Sequence, residues 1–132
     1  MMSFDKKIVA SSAILAAAAI GLGAFGAHGL RDVIGVKGLA SFETGVRYQM
    51  YHSLALLIIG FAVSIPSSTR KWVYRLFLFG TILFSGSLYL LSLKDIVTFN
   101  LALLGPITPI GGLLLIVGWI RLLYGILKVK KL

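Results

Sequence analysis

Four stretches of the chain carry no charged residue: Ile8–Leu30, Tyr48–Thr69, Leu76–Leu93 and Ile96–Ile120, of 23, 22, 18 and 25 residues. No other feature limits the possible folds so tightly. A hydrocarbon core of roughly 30 Å is crossed by about 20 helical residues, and the four runs occupy 88 of 132 positions. They predict an all-α, four-helix transmembrane bundle with spans over about 8–28, 47–66, 72–93 and 103–125, in one integral membrane domain covering 1–132. Charged residues make up 13% of the chain and hydrophobic residues 58%, whereas a soluble domain carries about 25% charged residues. That balance excludes both an ordinary soluble enzyme and a disordered chain.

The formal net charge is +9. In a soluble chain this would point to nucleic acid. Here the cations flank apolar runs, so the partner they imply is a lipid bilayer with anionic headgroups, and no nucleic acid is expected. With no cysteine, disulfides, iron–sulfur clusters and thiol catalysis are excluded. The first run has a competing reading. Lys6 and Lys7, an alanine-rich stretch and Ala24-Phe25-Gly26-Ala27 have the form of a signal peptide with a cleavage site. The run is longer than the roughly 7–15 apolar residues of a signal core, and three further hydrophobic spans follow. A retained first span is therefore the expectation.

With four spans, both termini share a side with the segment between spans two and three. That side carries Lys6, Lys7, Arg70, Lys71, Arg75, Arg121, Lys128, Lys130 and Lys131. The other carries Arg31, Lys37, Arg47 and Lys94, together with Asp32, Glu43 and Asp95. Nine cations against four place both termini in the cytoplasm of a multi-pass cell-membrane protein, by the positive-inside rule. Trp72, Tyr74, Trp119 and Tyr124 are then expected in an inner aromatic belt, and Phe42, Tyr48, Tyr51 and Tyr89 near the outer interface. Arg121 is expected to snorkel to the inner surface.

The residues that break the Leu/Ile/Val/Ala/Phe background gather in four strings: GAFGAHGL (23–30), FETGVRYQMYHS (42–53), FSGSLY (84–89) and LGPITPIGG (104–112). By this topology all four lie in the outer half of the membrane. In order and spacing they resemble the family of small membrane proteins known as domain of unknown function 423, the group of transmembrane protein 256-like proteins. The resemblance runs from about Gly21 to Trp119. It implies four helices and an inner or plasma membrane, and it implies no reaction.

Each string admits a plain and a sharper reading. On a helix, Glu43 can pair with Arg47 one turn on, and Tyr51 lies one turn further. Leu39, Phe42, Val46 and Met50 line another face. From Gly38 onward the chain therefore reads as an outer-interface amphipathic helix between spans 1 and 2, anchored by a snorkelling arginine. In the sharper reading Arg47 and His52 point into the bundle, because intramembrane ionisable groups are costly and tend to have a partner or a task. His28 and His52 are the two histidines. With Glu43 they could make a metal site or, as a pair, hold haem. Hydrogen-bonded histidines at helix ends are the plainer account, and no cofactor or metal is expected.

Gly21-Leu22-Gly23-Ala24-Phe25-Gly26 fits the dinucleotide pattern G-x-G-x-x-G, but no strand precedes it and no βαβ unit can form here. Ala19, Gly23 and Ala27 read better as a small-residue ridge for close helix packing. Ser85, Gly86 and Ser87 suggest a notch in span three, each hydroxyl bonded to a carbonyl one turn back. Tyr89 could turn its phenol inward or to the headgroups. Pro106 and Pro109 bracket Thr108 where span four begins, since proline suits a first helical turn. The free N–H groups of that turn could meet a carboxylate or phosphate.

No Ser-His-Asp spacing, carboxylate pair or phosphate loop is present. The reading is thus a non-enzymatic accessory or ligand-binding membrane protein. A polar pocket in the outer leaflet is expected from His28, Glu43, Arg47, Tyr51 and His52, with Ser85, Ser87, Tyr89, Pro106, Thr108 and Pro109. It would take a lipid- or quinone-like ligand, or the protein would dock in a larger membrane complex or homo-oligomer. The alternative is a small transporter or permease component, motivated by the prolines of span four and by Arg47.

Overall fold

The computed structural model describes residues 3–130. Lys131, one of the cations used for orientation, lies outside them. Among the described residues the chain is all-α, without strands, and has four long helices: α1 (Lys6–Phe25), α2 (Val36–Phe61), α3 (Ser67–Ser92) and α4 (Ile107–Leu127). A π-helical turn, Gly26–Leu30, extends α1, and a short 3-10 turn, Ala102–Leu104, precedes α4. Asp5 caps α1 by accepting the Ile8 N–H at 3.2 Å. Pro106 stands at the N-cap position of α4 without a side-chain cap, and Pro109 falls within the first turn, where a missing N–H breaks no intrahelical bond.

Among the described residues, three helical segments are long and apolar enough to cross a membrane: Lys6–Leu30, Ser67–Ser92 and Ala102–Leu127. α2 matches α3 at 26 residues, but Arg47, Gln49 and His52 interrupt its apolar stretch. The segment from Gly38 onward is the first part of this single helix, Val36–Phe61. No proline interrupts Val36–Phe61, and the face of Leu39, Phe42, Val46 and Met50 continues into the deeper turns of one unbroken helix.

The helices pack in chain order, α1 on α2, α2 on α3 and α3 on α4. Neighbours run antiparallel. The Asp5 N–H donates to Gly60 O at 2.9 Å, joining the start of α1 to the end of α2. A Cβ on Gly38 would come within 2.9 Å of Ser92 O, joining the start of α2 to the end of α3. Arg121 donates to Thr69 Oγ1 at 3.1 Å, joining the end of α4 to the start of α3. One end of the assembly therefore collects Lys6, Lys7, Arg70, Lys71, Arg75, Arg121 and Lys128. It is called the basic end below, and the opposite one the far end.

Two apolar clusters hold the packing. Ile8, Leu56, Ile59, Val73, Phe77 and Leu115 form the larger, toward the basic end. Leu30, Ile34 and Phe42 form the smaller, at the far end. Glycines set the closest approaches. Gly111, Gly118 and Gly125 recur every seven residues on α4 and face Phe84, Phe77 and Thr69 of α3, while Gly80 of α3 faces Leu115. This interval keeps the small residues on one stripe of a helix, which lets two backbones come close. The Ala19-Gly23-Ala27 ridge holds only in part. Ala19 is buried and Gly23 meets Val46, but Ala27 is exposed and Gly26 lies under the Phe42 ring instead. The π turn admits an extra residue and rotates the register by one position.

Candidate functional site

Between the two apolar clusters, at mid-length of α2 and α3, lies a layer of polar side chains. Gln49, His52 and Ser53 of α2 and Thr81, Ser85 and Ser87 of α3 are all at most 5% exposed. In a bilayer such groups need partners within the protein, and nearly all of them have one.

Gln49 joins three helices. Its Nε2 donates to Leu15 O of α1 at 2.8 Å, and its Oε1 accepts the Tyr89 hydroxyl of α3 at 2.7 Å. The hydroxyl of Ser85 donates across to Gly45 O of α2 at 2.7 Å. Ser53 bonds back to Gln49 O at 2.6 Å. Ser87 bonds to Phe84 O one turn back and shares a 2.6 Å contact with Thr108 of α4. The Oγ1 of Thr81 is buried and unpartnered.

His52 sits at the α2–α4 side of this layer. Trp119 Nε1 donates to its Nε2 at 3.1 Å, and its Nδ1 lies 2.7 Å from Tyr48 O. A ring nitrogen that accepts from an indole N–H carries no proton itself, so Nδ1 holds the proton and donates to the carbonyl. The imidazole is thus neutral with both nitrogens engaged. Phe77 packs edge-on to it at 4.9 Å between centroids and also meets Trp119 at 4.9 Å. Tyr48 packs on Phe84 at 4.8 Å.

The eleven residues expected to form one outer pocket fall into two groups. His52, Ser85, Ser87, Tyr89 and Thr108 belong to the polar layer and are bonded to their neighbours. His28, Glu43, Arg47, Tyr51, Pro106 and Pro109 are exposed. Arg47 donates to Thr44 Oγ1 at 3.2 Å rather than reaching the interior. His28 lies in the exposed π turn while His52 is buried in α2. Among the described residues no three of His, Asp and Glu come together as a metal site would require. The structure thus brings five of the eleven together in a hydrogen-bonded layer and leaves the other six on the surface. The helix face that carries Gln49 and His52 inward turns Glu43, Arg47 and Tyr51 outward.

What remains open beside this layer is a cleft of about 300 Å³ between α2 and α4. Its walls are Tyr48, His52, Phe84, Gly112, Leu115, Ile116 and Trp119. The cleft exists because α2 and α4 both pack along α3 and meet each other chiefly through the His52–Trp119 pair. Gly112 keeps it wide. Gln49 and Trp119 are the central residues that sequence reasoning passed over. Gln49 follows Tyr48 in the 42–53 string, and its signal in the sequence is an amide on a helix that runs into an apolar stretch. Trp119, expected in the inner aromatic belt, turns its indole N–H to His52.

The sequence model of a family described as "Protein of unknown function (DUF423)" matches residues 22–112. The chain is 45% identical to a UPF0382 membrane protein of Staphylococcus saprophyticus, over 94% of this chain and 99% of that one. It is 42% identical to the UPF0382 membrane protein YwdK of Bacillus subtilis, over 93% of this chain and 98% of that one. It is 39% identical to the UPF0382 inner membrane protein YgdD of Escherichia coli, over 85% and 82%. No solved structure matches the chain.

Proposed function

The chain belongs to this uncharacterised family of small membrane proteins (DUF423), and from that premise we propose a non-enzymatic protein of the plasma membrane that receives a quinone-like lipid laterally, in the cleft between α2 and α4. The proposal includes four spans. α2 lies antiparallel beside α1 and α3, its end against the start of α1 and its start against the end of α3. If α1 and α3 cross the bilayer, α2 crosses with them as the second member of the bundle. Its polar residues are tolerated because Gln49, His52 and Ser53 are buried against other helices. The exposed start of α2, with Glu43 and Arg47, would then lie at the outer interface. The cation-rich end faces the cytoplasm together with both termini.

The observation that carries the ligand reading is the aromatic lining of a laterally placed cleft. Tyr48, Phe84 and Trp119 offer flat faces suited to a planar ring, and Leu115 and Ile116 suit its tail. The volume of about 300 Å³ lies at the lower end of small-molecule sites. His52 fixes the Trp119 indole in place. Its own nitrogens are occupied, which favours binding over acid–base chemistry. The transport alternative has less support: Pro106 and Pro109 sit where α4 needs no N–H bond, and Arg47 is exposed.

The chain has two tryptophans, so Trp72→Phe leaves Trp119 as the single emitter. In phosphatidylcholine vesicles, a short-chain benzoquinone is expected to quench it saturably. Adding Gly112→Leu, which fills the cleft, should leave only the linear collisional component. Linear quenching in both proteins would contradict the site.

A further inference from the structure

We propose a second lipid site, at the basic end between α1 and α3, built for the phosphate head of an anionic phospholipid. A cleft of about 520 Å³ opens there. It forms because α1 and α3 each pack on α2 and leave a gap between themselves. Lys7 enters it from α1, and Lys71 and Arg75 from α3.

These cations are arranged over the cleft. Tyr74 reaches across the gap to Ser11 of α1, with 2.8 Å between the hydroxyl oxygens. Lys7 Nζ lies 5.7 Å from the centre of the same ring, so the tyrosine holds this lysine beside the cleft. Arg75 is steadied by the Trp72 ring, 5.4 Å from its guanidinium carbon. One acid, Asp5, also borders the cleft. Its carboxylate is committed to the Ile8 N–H at the start of α1, where the helix dipole further offsets its charge. The balance left for a ligand is positive.

The other walls point to a lipid rather than a bare anion. Ile8, Leu78 and Phe79 continue the cleft on its apolar side. Leu78 lies one turn deeper than Tyr74, and Phe79 one turn deeper than Arg75. An amphiphile could place its phosphate among Lys7, Lys71 and Arg75 and lay an acyl chain along Leu78 and Phe79. Phe79 is 57% exposed, on the side from which a lipid would approach. The cations of the cleft also belong to the end proposed to face the cytoplasm, and basic pockets between helices at that surface suit acidic headgroups. This site is separate from the α2–α4 cleft, and its test does not depend on it.

The test titrates the full chain in mild detergent with phosphatidylglycerol or phosphatidylcholine, with bound lipid counted by native mass spectrometry at low salt. Phosphatidylglycerol is expected to bind far more tightly. The combined Lys7→Gln, Lys71→Gln and Arg75→Gln protein should lose about a hundred-fold in phosphatidylglycerol affinity, since each cation near an anionic headgroup contributes roughly five-fold. Lys37→Gln, Lys94→Gln and Lys128→Gln together remove the same charge elsewhere and should leave the preference in place. Lys71→Arg alone should keep it as well. All the replaced side chains are exposed, and circular dichroism checks that each variant folds. Equal losses in the two triple variants would reduce the effect to net charge and overturn the site. Displacement of the lipid by millimolar inorganic phosphate would assign the cations to a free anion and overturn the lipid reading.

Discussion

Gly111→Ala is expected to lower the unfolding free energy by about 3 kcal/mol, whereas Gly112→Ala, the next residue, changes it by no more than about 0.5 kcal/mol. A Cβ on Gly111 would run into Phe84 N and lie 2.8 Å from Leu83 C and Phe84 Cα. These are backbone atoms of α3, which no side-chain rotation can move aside. α3 and α4 would have to separate along a stripe that Gly118 and Gly125 continue toward the basic end. On Gly112 the added carbon would meet only the Phe84 ring, at 3.5 Å, an ordinary contact. Denaturation in mixed micelles, followed by circular dichroism, measures both. Equal effects at the two positions would contradict the close packing of α3 on α4.

The second large effect is expected at the polar layer. Gln49→Leu keeps most of the side-chain volume but removes the bonds to Leu15 O and to the Tyr89 hydroxyl. The loss should be about 2–3 kcal/mol: membrane interhelical hydrogen bonds contribute on the order of 1 kcal/mol each, and a stranded, half-buried hydroxyl adds its own penalty. Tyr89→Phe removes that hydroxyl. The double variant should therefore be less destabilised than the two single losses added, with a coupling of about 1 kcal/mol. Strict additivity would mean that the Gln49–Tyr89 bond contributes nothing. By contrast, Arg47→Ala should stay within about 0.5 kcal/mol, because its side chain is exposed and bonded only to the neighbouring Thr44.

The helices were legible because long charge-free apolar runs of this kind fold as helices, and the four runs overlap the four helices. The four polar strings were also enough to identify the family. Which polar side chains turn inward was not legible. Arg47 and Gln49 are two residues apart, and the direction each takes depends on where α1 and α3 lie against α2. His52 is completed by Trp119, 67 positions away, and no local pattern announces that pairing. The π turn shifts the helical register at Gly26, so counting in fours from Ala19 leads to the exposed Ala27. One overlooked signal was present throughout: the seven-residue interval of Gly111, Gly118 and Gly125. A heptad stripe of glycine marks a close helix contact without any knowledge of the partner.

Buried polar groups fasten the helices to one another, and the aromatic α2–α4 cleft is left as the proposed ligand site. A density map of the protein extracted with its native lipids tests this most directly. A ring-sized, non-protein feature is expected against Tyr48, Phe84 and Trp119, with the Trp119–His52 and Gln49–Tyr89 contacts intact. An empty cleft, with a bound molecule instead among His28, Glu43 and Arg47, would contradict it.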